Sequence, residues 1–179
     1  MTASRAVWIC PKCGARLVTR NLWHSCGQFT LEALVARSTP RVLALARATV
    51  RVLRALGDVQ VLPQKTRLVA VARVRFAALY PRRDDLLLAF SLHRWIRSAR
   101  IVRRADYGPR WRGHFVRVAL AADLDRELRA WLQESHDVVG RQQGLPAARA
   151  KAAARTPVSG GAAGRRRSPA SRRPGRAAR

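Results

Sequence analysis

An α+β fold, with a mostly antiparallel sheet of about five strands and helices at both sequence ends, is the fold class that the sequence predicts. Three observations favour it: helical periodicity before and after a central stretch, period-two alternation within that stretch, and a change of composition at each end. They divide the 179 residues into a small cysteine-containing knot over residues 1–28, the α+β domain over 29–140 and a tail over 141–179.

The first helical region precedes the predicted strands. It begins over residues 29–34, is interrupted by Pro40 and resumes over residues 41–56, where Gly57 favours its end. On a 3.6-residue period its apolar residues fall on one side. The other side carries three cations, Arg47, Arg51 and Arg54.

The last predicted helix ends where the composition of the chain changes, and the tail begins there. We expect Asp123 to cap this helix and Gly140 to stop it. Residues 141–179 contain 11 Lys or Arg, no acidic residue, and otherwise mainly Ala, Gly, Pro and Ser. Such a composition cannot bury enough apolar surface to offset the entropy of ordering, so the tail is predicted to be a disordered basic arm.

Between the helical regions, alternation and β-branched residues predict strands over residues 59–62, 65–80, 86–90, 101–107 and 114–119. The long second run and the strand after it form an antiparallel hairpin across the turn at 81–85. Within that run, Arg73 and Arg75 are expected to share one face. Residues 94–98 are predicted to add one helical turn.

Every cysteine of the chain lies in one short motif that also contains a histidine. The string CPKCGARLVTRNLWHSCG gives the spacing C-x2-C-x10-H-x-C, with ligands Cys10, Cys13, His24 and Cys26. Three thiolates and one imidazole satisfy tetrahedral zinc and leave no coordination position open for water. The sequence therefore predicts a structural Zn²⁺ that folds this segment.

Two alternatives to this site were open at the level of sequence. The three cysteines could be two incidental buried thiols and a disulfide-prone third, although an odd number without a secretory signal argues against a disulfide framework. His24 could pack on Trp23 instead of binding the metal. In that case the site would have three ligands and an open position, and a catalytic role would return.

The formal net charge is +26, from 36 basic and 10 acidic residues. Such a field attracts polyanions, so nucleic acid is the expected partner class. The preference for Arg over Lys is also typical of a GC-rich genome, but that bias does not explain the shortage of acidic residues. No run reaches the ~18 apolar residues of a membrane span, and no signal-peptide core is visible. We therefore expect a cytoplasmic protein that does not enter membranes.

Five motifs together resemble a bacterial family of uncharacterised proteins. They are CPKCG, HSCG, KTRLVAVARVRFAALYPRRDDLLLAFSL, YGPRWRGHFVRV and DLDRELRAWLQESHDV, within residues 8–139. In that family a short zinc-binding stretch precedes a domain of unknown function, which is also found beside restriction-type and predicted transport modules. The resemblance implies the same succession of elements. It also implies a sheet surface with contributions from Lys65, Arg82, Arg83 and His114.

Further candidates for nucleic-acid or anion binding come from the basic residues of the predicted strands and loops. They are Arg67, Arg73, Arg75, Arg94, Arg110, Trp111 and Arg112. Trp111 stands out because it lies between two arginines in a loop and could stack on a base. A solvated arginine face is the ordinary alternative for such a pattern.

No catalytic constellation emerges from the sequence. The acidic residues are placed to cap helices or form turns, and no nucleophile motif or phosphate-binding glycine loop is present. We therefore favour a non-enzymatic zinc-containing module that binds DNA or RNA. The alternative is a protein-interaction or small-anion-binding domain, with a pocket near Lys65, Arg94 and His114.

Overall fold

A six-stranded antiparallel sheet forms the centre of the computed structural model, and a separate two-stranded sheet precedes it. The structure describes residues 6–20, 22–108 and 110–142. These residues lie in a unit that spans Met1–Gly144, and a second unit, Leu145–Arg179, lies outside the described part. Apart from Arg141 and Gln142, the predicted disordered tail therefore also lies outside it. No helix within the described ranges is both long and apolar enough to cross a membrane.

The strands are β1 (Trp8–Ile9), β2 (Arg16–Leu17), β3 (Gln60–Pro63), β4 (Leu68–Val71), β5 (Arg75–Pro81), β6 (Leu86–Leu92), β7 (Ile101–Asp106) and β8 (Arg112–Val118). The helices are α1 (Leu31–Val35), α2 (Pro40–Ala55) and α3 (Arg126–Ser135), with a 3₁₀ turn over Ala121–Asp123 and a π-helical turn over His136–Gly140. The main sheet has the order β3-β4-β5-β6-β8-β7. The prediction of a mostly antiparallel sheet is confirmed, and β5 pairs with β6 as expected.

One face of the main sheet packs against the helices. Along β6 every second residue is buried, as the period of two requires, and the same face continues into β8 with Val116 and Val118. Helix α2 contributes the apolar stripe of its amphipathic surface. Helix α3 places the ring of Trp131 against Phe90, with 6.1 Å between the centroids. Trp131 is therefore part of this core.

Two helix boundaries differ from the prediction. Pro40 is the first residue of α2, because its fixed φ suits the helix and its missing N–H would have no partner there. The cap of α3 is Asp125, whose Oδ1 accepts a hydrogen bond from the N–H of Leu128 at 2.9 Å. The carboxylate of Asp123 instead accepts from the backbone N–H groups of Ala119 and Leu120, which closes the 3₁₀ turn.

The predicted run over residues 65–80 is not one strand. It divides into β4 and β5, so that the sheet has six strands instead of five. The break is stabilised by the carbonyl oxygen of Gly140, which accepts hydrogen bonds from the N–H groups of Arg73 and Val74 at 2.8 and 2.9 Å. Arg73 therefore lies in a turn and Arg75 in a strand, and the expectation that they share a strand face was wrong.

Residues 94–98 do not form the predicted helical turn. The chain here is irregular because the N–H of Ile96 donates a hydrogen bond to Nε2 of His114, at 3.0 Å. This imidazole belongs to β8, and such a long-range partner gives no local signal in the sequence.

Asp85 anchors the turn between β5 and β6. Its side chain is buried and accepts hydrogen bonds from Nε of Arg82 at 2.5 Å and from Nε of Arg117 at 2.6 Å. Burial raises the pKa of Asp85, but the hydrogen bonds and charges of the two arginines outweigh it, and the net pKa lies below the ordinary 3.8. This interaction stabilises the fold above the unfolded-state pKa of about 4 and is lost as the pH falls through the folded-state pKa.

We expect Asp85→Asn to lower the free energy of unfolding at pH 7 by about 1–3 kcal/mol, because charged hydrogen bonds are lost from a buried group. Urea denaturation at pH 7 and pH 3 measures this free energy. The loss should be smaller at pH 3, because there the unfolded wild type takes up a proton on Asp85 and the wild type is itself destabilised. The exposed neighbour variant Asp84→Asn should change stability by no more than about 0.5 kcal/mol. Equal stability of Asp85→Asn and wild type at pH 7 would contradict this account.

Candidate metal centre and sheet surface

Two tight turns supply the four predicted metal ligands. In the first, which joins β1 to β2, the N–H of Gly14 donates to the carbonyl oxygen of Cys10 at 2.8 Å, and Gly14 has φ +68°. In the second, Cys26 and Gly27 have φ +49° and +79°. Glycine adopts this left-handed conformation without strain, which explains the Cys-Gly pairs of the motif.

The four ligating groups lie close enough to hold one metal ion. One ligand atom from each of Cys10, Cys13, His24 and Cys26 lies within 4.8 Å of the others. The Sγ atoms of Cys10 and Cys26 are 3.8 Å apart. Two thiolates of a tetrahedral zinc with Zn–S distances of about 2.3 Å have nearly this separation, roughly 3.8 Å. All three cysteines are free thiols.

His24 is oriented as a metal ligand would be. Its Nδ1 lies 3.2 Å from the carbonyl oxygen of Leu22, and only a protonated nitrogen can bond to a carbonyl group. The unprotonated Nε2 is buried and has no hydrogen-bond partner within the described residues. A buried imidazole nitrogen with a free lone pair fits zinc, and the outer hydrogen bond fixes its tautomer.

The alternative position of His24, packed on Trp23, is not the one that the structure has. The imidazole contacts Trp8 edge to face, with 6.4 Å between the ring centroids. The side chain of Trp23 is 67% exposed. The histidine is therefore available to the cluster as the fourth ligand.

The electrostatics of the cluster also fit a cation. Burial raises the pKa of Cys10, but the backbone N–H groups of Lys12 and Cys13 and the adjacent side chains of His24 and Cys13 lower it, to about 6 overall. Burial and the neighbouring sulfurs of Cys10 and Cys13 raise the pKa of Cys26. Without a cation the first thiolate opposes ionisation of the others, whereas a divalent ion stabilises all three together.

The cluster is fixed to the main sheet. We call residues 8–20 and 22–28 the metal segment. The side-chain amide of Gln60 in β3 accepts a hydrogen bond from the N–H of Arg16 and donates one to the carbonyl oxygen of Gly14, both at 2.8 Å. Ser25 donates to the carbonyl oxygen of Pro63 at 2.6 Å. The metal segment, predicted as a separate small unit, is therefore packed on the edge of the α+β domain.

The main sheet has a second face, opposite the helices, which we call the outer face. Strand pairing places on it Val69, Val71, Arg75, Ala78, Tyr80, Leu87, Ala89, Ser91, Gly113, Phe115 and Arg117. The metal segment covers part of this face, where a cleft of about 370 Å³ separates them. A shallower groove of about 210 Å³ continues across β5, β6 and β8. The cleft and the groove share Val69, Arg75 and Trp111 in their walls.

Four predicted binding residues lie along this cleft and groove. Trp111 is half-buried between the two cavities, and Arg75 donates a hydrogen bond to the carbonyl oxygen of Trp23 at 3.3 Å. Arg67 donates to the hydroxyl oxygen of Tyr80 at 2.8 Å and to Gln64 at 3.0 Å. Arg73 lines the cleft from the turn between β4 and β5.

A second group lies at another edge of the sheet. Lys65, Arg82 and Arg83 line a polar cleft together with Arg37, beside the β3–β4 and β5–β6 turns. Arg82 is paired with Asp85, whereas the side chains of Lys65 and Arg83 are exposed. These cations form a surface distinct from the groove.

The remaining candidates are separate from one another. Arg94 forms a bidentate ion pair with Glu134, and Arg112 pairs with Asp106. Arg110 is exposed in the loop between β7 and β8. His114 is fully buried in β8 and stacks on Phe90. The prediction that His114 contributes to a binding surface was therefore wrong, and burial together with nearby arginine charges lowers its pKa.

The sequence reasoning missed four residues that belong to this surface. Tyr80 and Arg117 are on the outer face, and Arg103 and Tyr107 lie over it from β7 and the loop that follows. The alternation of Phe115 and Arg117 in β8 was a usable signal, since residues two apart share a face. Tyr107 had no such signal, because its contact is with a glycine of β8.

No protein-family model, curated protein sequence or solved structure matches this chain. The resemblance to a bacterial family therefore remains a proposal from the sequence motifs. Function has to be argued from the metal cluster and the outer face, because a fold by itself does not determine an activity.

We expect the purified protein to bind about one zinc ion per chain, and Cys13→Ser and His24→Ala to reduce this content strongly, because each removes one of four ligands. Native mass spectrometry and elemental analysis measure the content. Trp23→Ala, which changes an exposed residue beside the ligand, should retain zinc. Gln60→Ala should also retain zinc but lose about 1–2 kcal/mol of stability, because it removes two hydrogen bonds to the metal segment. Full zinc content in Cys13→Ser would exclude this ligand set.

Proposed function

We propose that this protein is a non-enzymatic module that contains structural zinc and binds nucleic acid through a basic surface. The proposal rests on the arginines that remain in surplus after most acidic residues of the protein have formed ion pairs. The metal cluster supports the zinc assignment, since four side chains within reach of one ion would fill a tetrahedral site and leave no position for a substrate. Because the three thiols must stay reduced to bind zinc, we also propose a cytoplasmic location.

The acidic residues are largely held in local ion pairs. Seven of the ten carboxylates contact an arginine within the described residues: Glu32, Asp58, Asp85, Asp106, Asp125, Glu127 and Glu134. A carboxylate paired in this way cannot also screen the other cations. The remaining arginines and lysines therefore present positive charge to the solvent, and phosphate groups are the polyanion that such a surface attracts.

In this proposal zinc has a mechanical role. It closes the two turns of the metal segment, and Gln60 and Ser25 attach that segment to β3. The segment then forms one wall of the cleft over the outer face. Loss of zinc would consequently remove a wall of the binding surface as well as stability.

The small-anion alternative has less support. Its three residues do not form a pocket, because His114 is buried, Arg94 is engaged with Glu134, and Lys65 lies in a cleft that includes neither. An anion at the surface could reach Lys65 but not the imidazole. Nucleic acid, as DNA or RNA, is the better supported partner.

We expect the affinity for DNA and RNA oligonucleotides to fall steeply with salt, because binding releases condensed counterions. With ~6 to 10 phosphate contacts, the affinity should drop by ~10³ to 10⁵ between 50 and 200 mM salt. Fluorescence anisotropy at four or five salt concentrations measures the slope. Affinity that does not change with salt would overturn the proposed function.

A shortened chain separates the contribution of the tail. The cut should follow Gly144, because the N–H groups of Arg141 and Gln142 still bond to the last turn and Gly140 holds the β4–β5 break. Zinc content and melting temperature establish whether residues 1–144 remain folded. We expect weaker binding with a smaller salt slope, and a complete loss would assign all binding to residues 145–179.

A further inference from the structure

The centre of the groove has a floor of small residues. Ala78 pairs with Ala89 across β5 and β6, and Ser91 pairs with Gly113 across β6 and β8. Because side chains of paired residues lie on the same face, these four positions lower the middle of the outer face. Larger aromatic residues border them, and the result is a shallow trough that is open to solvent.

Tyr107 forms a flat wall of this trough. A Cβ atom at Gly113 would lie 2.5 Å from Cε2 of Tyr107, so the ring can lie against β8 only because residue 113 has no side chain. The tyrosine is nevertheless 59% exposed. An aromatic ring that rests on backbone on one side and faces water on the other offers a surface on which a planar group can stack.

Cations and aromatic rings alternate around the same trough. The guanidinium carbon of Arg103 lies 3.7 Å from the centroid of Phe115, and that of Arg67 lies 5.6 Å from the centroid of Tyr80. Neither arginine, nor Arg75, forms an ion pair with a carboxylate in the described ranges. Burial, together with the charge of Arg67, lowers the pKa of Arg75. A phosphate placed between these two arginines would relieve their repulsion.

Stacking surfaces of this kind distinguish between forms of nucleic acid. In a duplex the bases stack on one another and only their edges are accessible, whereas the bases of a single strand can stack on tyrosine, tryptophan or a guanidinium plane. The trough contributes the exposed ring of Tyr107 and the half-buried rings of Tyr80 and Trp111. Within the described residues, no helix lines it that could enter a groove of a duplex. The chemistry of the surface therefore favours unpaired bases.

From this arrangement we infer that the outer face binds single-stranded nucleic acid. Its bases stack on Tyr107, Trp111 and Tyr80, and its phosphates lie against Arg67, Arg75 and Arg103. The inference rests on the proposed function and specifies the substrate form and the surface. Single-stranded DNA and RNA both have bases that stack and phosphates that contact arginine, so the experiments below use both.

The first experiment compares affinities of the full chain for a 12-nucleotide single strand, as DNA and as RNA, with those for the matching duplex. Tyr107→Leu and Trp111→Leu should weaken single-strand binding roughly tenfold each and leave the salt slope unchanged, because stacking and not charge is lost. The control is Trp95→Leu, since Trp95 is also exposed (40%) but packs on His114, away from the trough. All variants should retain zinc and the wild-type melting temperature within a few degrees.

The second experiment locates the contact independently of the basic tail. Ultraviolet crosslinking of the full chain to a uracil-containing strand, followed by peptide mass spectrometry, should identify Tyr80, Tyr107 or Trp111. Crosslinks confined to residues 145–179, equal losses in the Trp95 control, or equal losses for duplex and single strand would overturn the inference. If one of these results is found but binding still depends on salt, the proposed function stands and only the inference falls. If no oligonucleotide shows salt-dependent binding, both proposals fall.

Discussion

The convergence of three thiols and one imidazole within 4.8 Å is the constraint on which the front of this molecule depends. Such a cluster is electrostatically unfavourable when it ionises alone, as the opposite pKa changes of Cys10 and Cys26 indicate. A divalent cation converts the same proximity into a stabilising interaction. Because Gln60 attaches the segment to β3, this local chemistry also determines the shape of the cleft over the outer face.

The two faces of the main sheet differ in what covers them. The face with Leu88 and Phe90 packs against the helices and supplies most of the apolar core. The outer face also buries Phe115 and Val69, but arginine side chains and the metal segment cover them in place of a helix. In the proposed function, a ligand takes the place of part of this arginine cover, whereas the face packed by helices has no such opening.

The sequence was informative where a pattern is local. The ligand spacing predicted the metal cluster, the 3.6-residue period predicted α2, and alternation predicted the hairpin of β5 and β6. It failed where a partner comes from far along the chain. Gly140 breaks the run before β5, and Gln60 holds the metal segment. His114 was predicted as a surface residue, but it lies on the inner face of β8 with Val116 and Val118, where Phe90 and the irregular segment around Ile96 enclose it.

X-ray absorption spectroscopy of the zinc-loaded protein tests the central claim most directly, because it reports the ligand atoms around the metal. The account requires three sulfur ligands at about 2.3 Å and one nitrogen ligand at about 2.0–2.1 Å. A first shell that contains oxygen from water, or fewer than three sulfurs, would contradict the closed site of Cys10, Cys13, His24 and Cys26. The structural role of the metal, and the cleft that its segment forms, would then need a different explanation.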